Sequence, residues 1–522
     1  MSAGSTPAGD AAARPAAIVL GEVAIGIEAI VAVARDFAPV ALHESVGPRL
    51  RAARAVVLRA LERGDSVYGL TTGLGAAVDT RLSSEAIPAF QARAIRARAV
   101  GVGEPLTIEA VRALLFARLV SICHGASGLS PALAETVAAM LNAGVHPIVR
   151  GIGSLGEADL SPLAQVFLPL IGAGEAEFAG TVRPGGEAMA AAGIALPKLG
   201  PKDGLALLNA NSQGIGLAAL AVDALSTALQ ASVVAGALAM EGFRANLSPL
   251  DADLASMRGM PGHSAGTNWL RTLLAGSDLL EAGTARRLQD PLSFRCLTPI
   301  AGHASHAVAA ARTIVEAELA SICDSPAVLV SRDAMLSSVN FDTTELALTL
   351  EAAGLALAHL AATSAARIMK LMSPSMSDLP RFLTRHGGSH SGFATSQKTV
   401  SALEAEIRRL ALPLGAMTLP VADGVEDYAP MTPAIVEKTH AIAKRLTRLA
   451  AIELVVAAEA VDLRGEITLG RGTAAVHAFV RRHVARLDDD RPMGREYEAL
   501  ALTIEAGGLV LTDMATGEGS GP

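Results

Sequence analysis

The chain has 522 residues, 51% of them apolar, and carries a formal charge of only −8. Such a length leaves room for several domains or for one long helical unit, and the mild charge with no basic stripe argues against electrostatic capture of nucleic acid. Three cysteines, Cys123, Cys296 and Cys323, stand far apart without metal-ligand spacing, which fits a reducing, cytoplasmic setting and argues against a disulfide framework.

Ala and Leu dominate and alternating strand-like runs are scarce, so the composition predicts an all-α protein with an ample core. Met1 to Ala17, rich in Ala, Gly and Pro, has neither the basic start nor the apolar centre of a signal peptide and reads as a disordered tail. After the apolar run Ile18 to Leu20, a helical pattern places Ala53, Val57 and Leu61 on one face and stops at Gly64. Tyr68 follows in a glycine-rich loop, Tyr68-Gly69-Leu70-Thr71-Thr72-Gly73-Leu74-Gly75. Ser130-Pro131 predicts an N-cap and a first-turn Pro, and Gly144 predicts the end of that helix. The next segment is Gly153-Ser154-Leu155-Gly156-Glu157-Ala158-Asp159-Leu160-Ser161-Pro162-Leu163. Gly204 to Met240 is apolar enough to suggest a membrane span, but Asn209, Asn211, Gln213, Asp223 and Gln230 fall within it, so a buried bundle helix is expected instead. Long apolar helices continue from Asp203 onward, interrupted at Gly387-Gly388 and Pro413 to Gly415. The expected organisation is a tail over 1–17, a loop-rich helical part over 18–200, a long-helix bundle over 201–515 and a second tail over 516–522, without internal repeats.

The segment from Gly153 resembles the cofactor-forming loop of the aromatic amino acid ammonia-lyase family. Further segments match in order: Val67 to Gly75, Gly101 to Pro105, Leu141 to Pro147, Lys202 to Asn209, Gln289 to Cys296, Asp324 to Pro326, Asn340-Phe341, Gly387 to Thr399 and Glu426-Asp427. The resemblance implies an elongated helical bundle that assembles as a homotetramer, with active sites shared between subunits and a small amino acid as ligand. It also implies an elimination, in which a base takes the proton beside the aromatic ring while an amine leaves the α-carbon.

In that family an Ala-Ser-Gly tripeptide cyclises to the electrophile methylidene-imidazolone. Here Glu157-Ala158 stands in its place, so the serine to be dehydrated and the glycine whose nitrogen closes the ring are both missing and no cofactor is expected. Tyr68 matches the family's catalytic tyrosine, a phenol that acts as a base only if its surroundings favour the phenolate. Arg295 matches the arginine that grips the substrate carboxylate with a planar fork, and Asn209 the amide that orients the amino acid backbone. Glu426 matches a glutamate beside the amine site; Phe341 lines either the ring pocket or the core. Lys398 replaces an uncharged family residue and either assists Tyr68 or lies on the surface. Leu292 stands where the family has a tyrosine, and Arg98 where it has a histidine that reads the ring; either Arg98 or Glu157 contacts the ring.

An electrophile that bonds to the amino nitrogen needs a lone pair there. A quaternary ammonium has none and already leaves as a neutral amine, so the joint loss of Ala-Ser-Gly and retention of carboxylate-binding residues points to a betaine of an aromatic amino acid. The chain resembles the family's cofactor-free branch, which releases trimethylamine from ergothioneine to give thiourocanate. Glu157 and Glu426, beside Tyr68 or Tyr428, are then candidates to hold the cationic nitrogen. The alternatives are an ammonia-lyase acting on histidine or another aromatic amino acid, and a non-catalytic binding or assembly protein on the same scaffold.

Overall fold

The computed structural model describes residues 15–83, 85–415 and 419–509. Both expected tails lie outside these residues, except for an exposed coil at 15–17. The protein is predominantly helical, as its composition predicts, and divides into two compact units. Unit 1 comprises Met1–Leu220, Val315–Thr343 and Ala416–Pro433; unit 2 comprises Ala221–Ile314, Thr344–Gly415 and Ala434–Pro522.

In unit 1, helix α1 (Val46–Arg63) buries Val46, Leu50, Ala53, Val56, Val57 and Ala60 and ends at Gly64, whose left-handed backbone (φ 70°) makes it the stop that the sequence suggested. Its apolar face packs with Val67, Leu70 and Val328. Helix α2 (Ile87–Arg98) follows, then α3 (Ile108–Cys123), which is buried on all sides and capped by the Thr107 side chain. Helix α4 (Pro131–Ala143) starts and stops at the expected Pro and Gly. Ser130 does not cap it, however: its hydroxyl donates to Asp203 at 2.7 Å, because that fully buried carboxylate also draws in the Ser130 and Gly200 amides and Arg54.

Helix α5 (Leu160–Phe167) leaves the Gly153–Asp159 loop. The apolar stretch after residue 203 is two helices, α6 (Asp203–Leu208) and α7 (Ser212–Phe243), not one. Among the described residues two stretches, Asp203–Phe243 and Thr344–Leu371, are long and apolar enough to cross a membrane, and 67% of the first one's most apolar window is buried inside the protein. Short strands fasten the loops of unit 1: Ile18–Leu20 runs parallel to Val40–Leu42, Arg150–Ile152 pairs antiparallel with Val102–Pro105, and Ala327–Leu329 pairs antiparallel with Ala334–Leu336.

Unit 2 holds α7 from Ala221 onward, α8 (Leu292–Arg295), α9 (Leu297–Ala320) as far as Ile314, α10 (Thr344–Leu371), α11 (Ser396–Leu410) and α12 (Thr432–Arg464) from Ala434 onward. Leu449, Ile452, Leu454, Val456 and Ala460 of α12 are fully buried; each large apolar side chain removed from water stabilises the fold by about 1.5–3 kcal/mol. Within this core Arg367 and Glu453, both 0% exposed, form a hydrogen-bonded ion pair at 2.5 Å that Ser364 also joins. Burial is tolerable for both charges because each satisfies the other.

Candidate active site

The tyrosine loop comes directly off α1. Thr71 Oγ1 accepts from the Val67 amide at 2.9 Å and donates to the Asp65 carbonyl at 2.7 Å, which closes the turn around Tyr68. The half-buried Tyr68 phenol oxygen accepts the Gly75 amide at 2.8 Å. That backbone donor fixes the ring in place. Gly75 also lies against the loop that carries Glu426, with Ala422 Cβ 3.8 Å from where a side chain at Gly75 would begin. In that loop the main chains of Val421 and Glu426 pair with each other.

The Gly153–Asp159 loop is fixed at almost every residue. Ser154 donates its hydroxyl to the fully buried Asp159 at 2.6 Å, and the Gly214 amide donates to the other carboxylate oxygen at 2.9 Å. Burial pushes the Asp159 carboxyl up to about 6, and these donors hold it from rising further. The Ala158 amide donates to Asn211 Oδ1 at 2.8 Å, and Asn211 Nδ2 donates to the Phe341 carbonyl. The Leu155 carbonyl accepts the Met431 amide at 2.8 Å, and the Gly156 carbonyl accepts the Thr343 hydroxyl at 3.3 Å. Gly156 has φ +90°, and a Cβ there would stand 3.0 Å from the Thr432 amide, so only glycine suits this closely packed position.

Glu157 is held in this frame half-buried, and its carboxyl is pushed up to about 7. Burial is the first cause, followed by the negative charges of Glu426, Asp342 and Asp427. Arg98, the last residue of α2, lies in the electrostatic field of both Tyr68 and Glu426; burial pulls its pKa below the ordinary arginine value and those two groups oppose the shift. Unit 1 thus gathers Tyr68, Arg98, Glu157 and Glu426 into one electrostatic neighbourhood. Asn209 Nδ2 donates to the Ser325 carbonyl in the turn before α7. Phe341 is half-buried, with its carbonyl on Asn211, and Tyr428 is 41% exposed.

The other two candidates belong to unit 2. Arg295 ends α8, where Phe294 stacks on Phe243 with ring centroids 4.1 Å apart, and Arg295 Nε donates to the Asp290 carbonyl at 2.7 Å. Among the described residues its guanidinium makes no other hydrogen bond, although it feels the Asp290 charge, which leaves the outer nitrogens of the fork for a carboxylate. Lys398 stands exposed in the first turn of α11.

Three contributors were not singled out from the sequence as site residues. Asp342 and Asp427 adjoin Phe341 and Glu426, and their charges act on Glu157. Asn211 ties two loops together; the only signal for it was a polar residue in an apolar run.

The residues at 157 and 158 do not fit a methylidene-imidazolone, because they offer no serine to dehydrate and no glycine to close on it. An Ala-Ser-Gly sequence does occur at Ala126–Gly128, but it lies in the packing under α1: Ser127 is 0% exposed and its carbonyl accepts the buried Lys202 ammonium at 2.5 Å. A Cβ at Gly128 would stand 2.5 Å from Val57, which places that tripeptide against the core and out of a substrate's reach.

Residues 25–482 match the family model described as aromatic amino acid lyase. The chain is 35% identical over 496 residues to the histidine ammonia-lyase of Anaeromyxobacter sp. (strain K), covering 93% of this chain and 98% of that protein. It is likewise 35% identical over 482 residues to the histidine ammonia-lyase of Symbiobacterium thermophilum, covering 92% and 95%. Among solved structures, ergothionase from Treponema denticola, crystallised with desmethyl-ergothioneine sulfonic acid, has a TM-score of 0.88 at 30% identity over 95% of this chain and 99% of that one. Histidine ammonia-lyase from Trypanosoma cruzi has a TM-score of 0.87 at 26% identity over 94% of each.

Proposed function

This chain belongs to the aromatic amino acid lyase family and is a carbon–nitrogen lyase, and from that premise we propose that it eliminates a tertiary amine from an aromatic amino acid betaine without a methylidene-imidazolone. The reaction we favour converts ergothioneine to thiourocanate and trimethylamine. One observation carries the reading: where the family tripeptide would stand, the chain puts a carboxylate, Glu157, already crowded by Glu426, Asp342 and Asp427. Four acidic groups converging on a half-buried position favour a ligand that brings a permanent positive charge. A trimethylammonium meets that requirement at every pH. It also cannot add to an electrophile, so the missing serine and glycine cost this substrate nothing.

In this mechanism Arg295 and Asn209 hold the substrate carboxylate, and Glu157 with Glu426 and Tyr428 hold the cationic nitrogen through charge and the aromatic face. Tyr68, as phenolate, takes the proton from the β-carbon. The electron pair of the broken carbon–hydrogen bond becomes the new double bond, the carbon–nitrogen bond breaks, and trimethylamine departs neutral with its electron pair. Lys398 supports the phenolate. Phe341 lines the ring side. Arg295 and Lys398 belong to unit 2, and we assign them to neighbouring subunits of a homotetramer, in line with the shared sites that the family resemblance implies. The ergothionase likeness supports the substrate class.

The reading is tested by supplying ergothioneine and histidine separately to the purified protein while following trimethylamine, ammonia and product absorbance. Trimethylamine from ergothioneine alone is the expected result. Ammonia from histidine would overturn it in favour of an ammonia-lyase, the second reading, which the 35% identity to histidine ammonia-lyases favours.

A further inference from the structure

Arg98 stands out as a half-buried charge that feels Tyr68 and Glu426 but has no bonded counterpart. On α2 it follows Gln91, Ala94 and Ile95 along one face, and all three are buried at 3% exposure or less. That face packs on α6, close enough that a Cβ at Gly204 would stand 2.5 Å from the Gln91 carbonyl oxygen, while Gln91 Oε1 accepts the Gly204 amide at 2.9 Å. The next residue of α6, Leu205, in turn packs on the tyrosine loop, with its Cδ2 2.5 Å from where a side chain at Gly69 would begin. Helix α6 therefore joins the face that ends in Arg98 to the loop that carries Tyr68. Among the described residues the Arg98 guanidinium makes a single hydrogen bond, to the Ala94 carbonyl of its own helix at 3.4 Å, and no carboxylate lies within ion-pair distance.

The other charged groups on the elements around Tyr68 are accounted for. Lys202 donates to the Ser127 and Pro326 carbonyls, and Asp203 is bound by Ser130, Gly200 and Arg54. Asp65 pairs with Arg63, and the Arg81 guanidinium donates to the Gly64 carbonyl. Asp423, Glu426, Asp427 and Glu157 are acidic and bring no positive charge to the phenol. Arg93 and Arg96 of α2 are exposed to solvent, so Arg98 is the half-buried cation on these elements that no such partner occupies.

We propose that Arg98 is a positioning residue for Tyr68: its unpaired guanidinium, together with the Gly75 amide on the phenol oxygen, stabilises the phenolate that takes the substrate's β-proton. This rests on the reading of Tyr68 as the base. It assigns Arg98 to the base rather than to the substrate ring. An arginine suits the task because it stays protonated when half-buried, whereas a histidine would titrate together with the base that it supports.

The sequence offers a direct measurement, because it has three tyrosines. Burial pushes the Tyr497 phenol up to about 12, and a Tyr68→Phe variant subtracts the signal of the other two. Tyrosinate ultraviolet absorbance against pH then reports Tyr68 in the intact protein. Arg98→Gln is expected to move Tyr68 ionisation upward by about one pH unit or more, and Arg98→Lys to restore most of the difference. In turnover, the acidic limb of the kcat profile of Arg98→Gln is expected to move the same way, with kcat falling more than KM rises. An unmoved Tyr68 titration in Arg98→Gln, with the loss confined to KM, would overturn the proposal and return Arg98 to the ring. If Arg98→Gln does not fold, an Arg98→Lys variant whose Tyr68 titration and kcat profile match the unaltered protein supports the proposal, and one that loses the phenolate overturns it. Full turnover by Tyr68→Phe would instead remove the base assignment, and the absorbance titration would still decide whether Arg98 couples to Tyr68.

Discussion

Glu157 carries opposite consequences for stability and for binding. Its carboxyl is held at about 7, above the ordinary 4.5, so between these values the folded protein keeps a proton that the unfolded chain has released. Linkage then makes stability fall as pH rises through that window, with the loss complete above it. Glu157→Gln removes the ionisation. The variant is expected to melt at a higher temperature than the unaltered protein at about pH 8 and to converge with it near pH 4, measured by thermal unfolding without ligand. The same charge is expected to bind an unreactive quaternary ammonium analogue more tightly as pH rises through 7, and in Glu157→Gln that pH dependence is expected to disappear from a calorimetric titration. The replacement of Ala-Ser-Gly by Glu157-Ala158 was legible in the sequence. Its electrostatic setting was not, because the Asp342 and Asp427 charges that raise the Glu157 carboxyl come from segments far along the chain.

At the scale of elements, Asn211 joins the Gly153–Asp159 loop to the segment before α10. It is 1% exposed, and its side chain accepts from Ala158 and donates to Phe341. Asn211→Ala leaves a buried amide and a buried carbonyl unpaired, which is expected to cost about 1–3 kcal/mol in urea unfolding. Turnover is expected to fall further than stability alone accounts for, because Glu157 loses the neighbour that fixes Ala158. Much of the element layout could be read from punctuation: Gly64 and Gly144 end α1 and α4, since a left-handed residue there favours glycine. The break between α6 and α7 was hidden, because Asn209 to Asn211 interrupt an apolar run without a Gly or Pro. There the chain gives up helical continuity so that the Ala210 carbonyl can accept the Asp159 amide and Asn211 can reach Ala158.

For the whole molecule, the assignment of Arg295 and Lys398 to other subunits predicts a mixing result. Tyr68→Phe and Arg295→Ala proteins, each inactive, are expected to regain up to about a quarter of normal turnover when unfolded, mixed and refolded together, because one site in four then combines an intact tyrosine with an intact arginine from a different copy. Sites built within single chains would regain none. The resemblance in motif order made the family legible from the sequence, whereas the division into two units, each drawn from three stretches, was not, because long helices of similar composition run throughout the chain. The fastening of the loop at Leu155 and Gly156 by Met431 and Thr343 also sets a schedule for synthesis. A nascent chain can complete α1 to α6 early, but the Leu155 carbonyl has no Met431 amide to accept until more than four-fifths of the polypeptide has been made. Until then the loop from Gly153 to Asp159 is only partly fastened, so an interruption of synthesis before Met431 leaves a chain whose first helices are formed but whose candidate site is not, a state prone to aggregation.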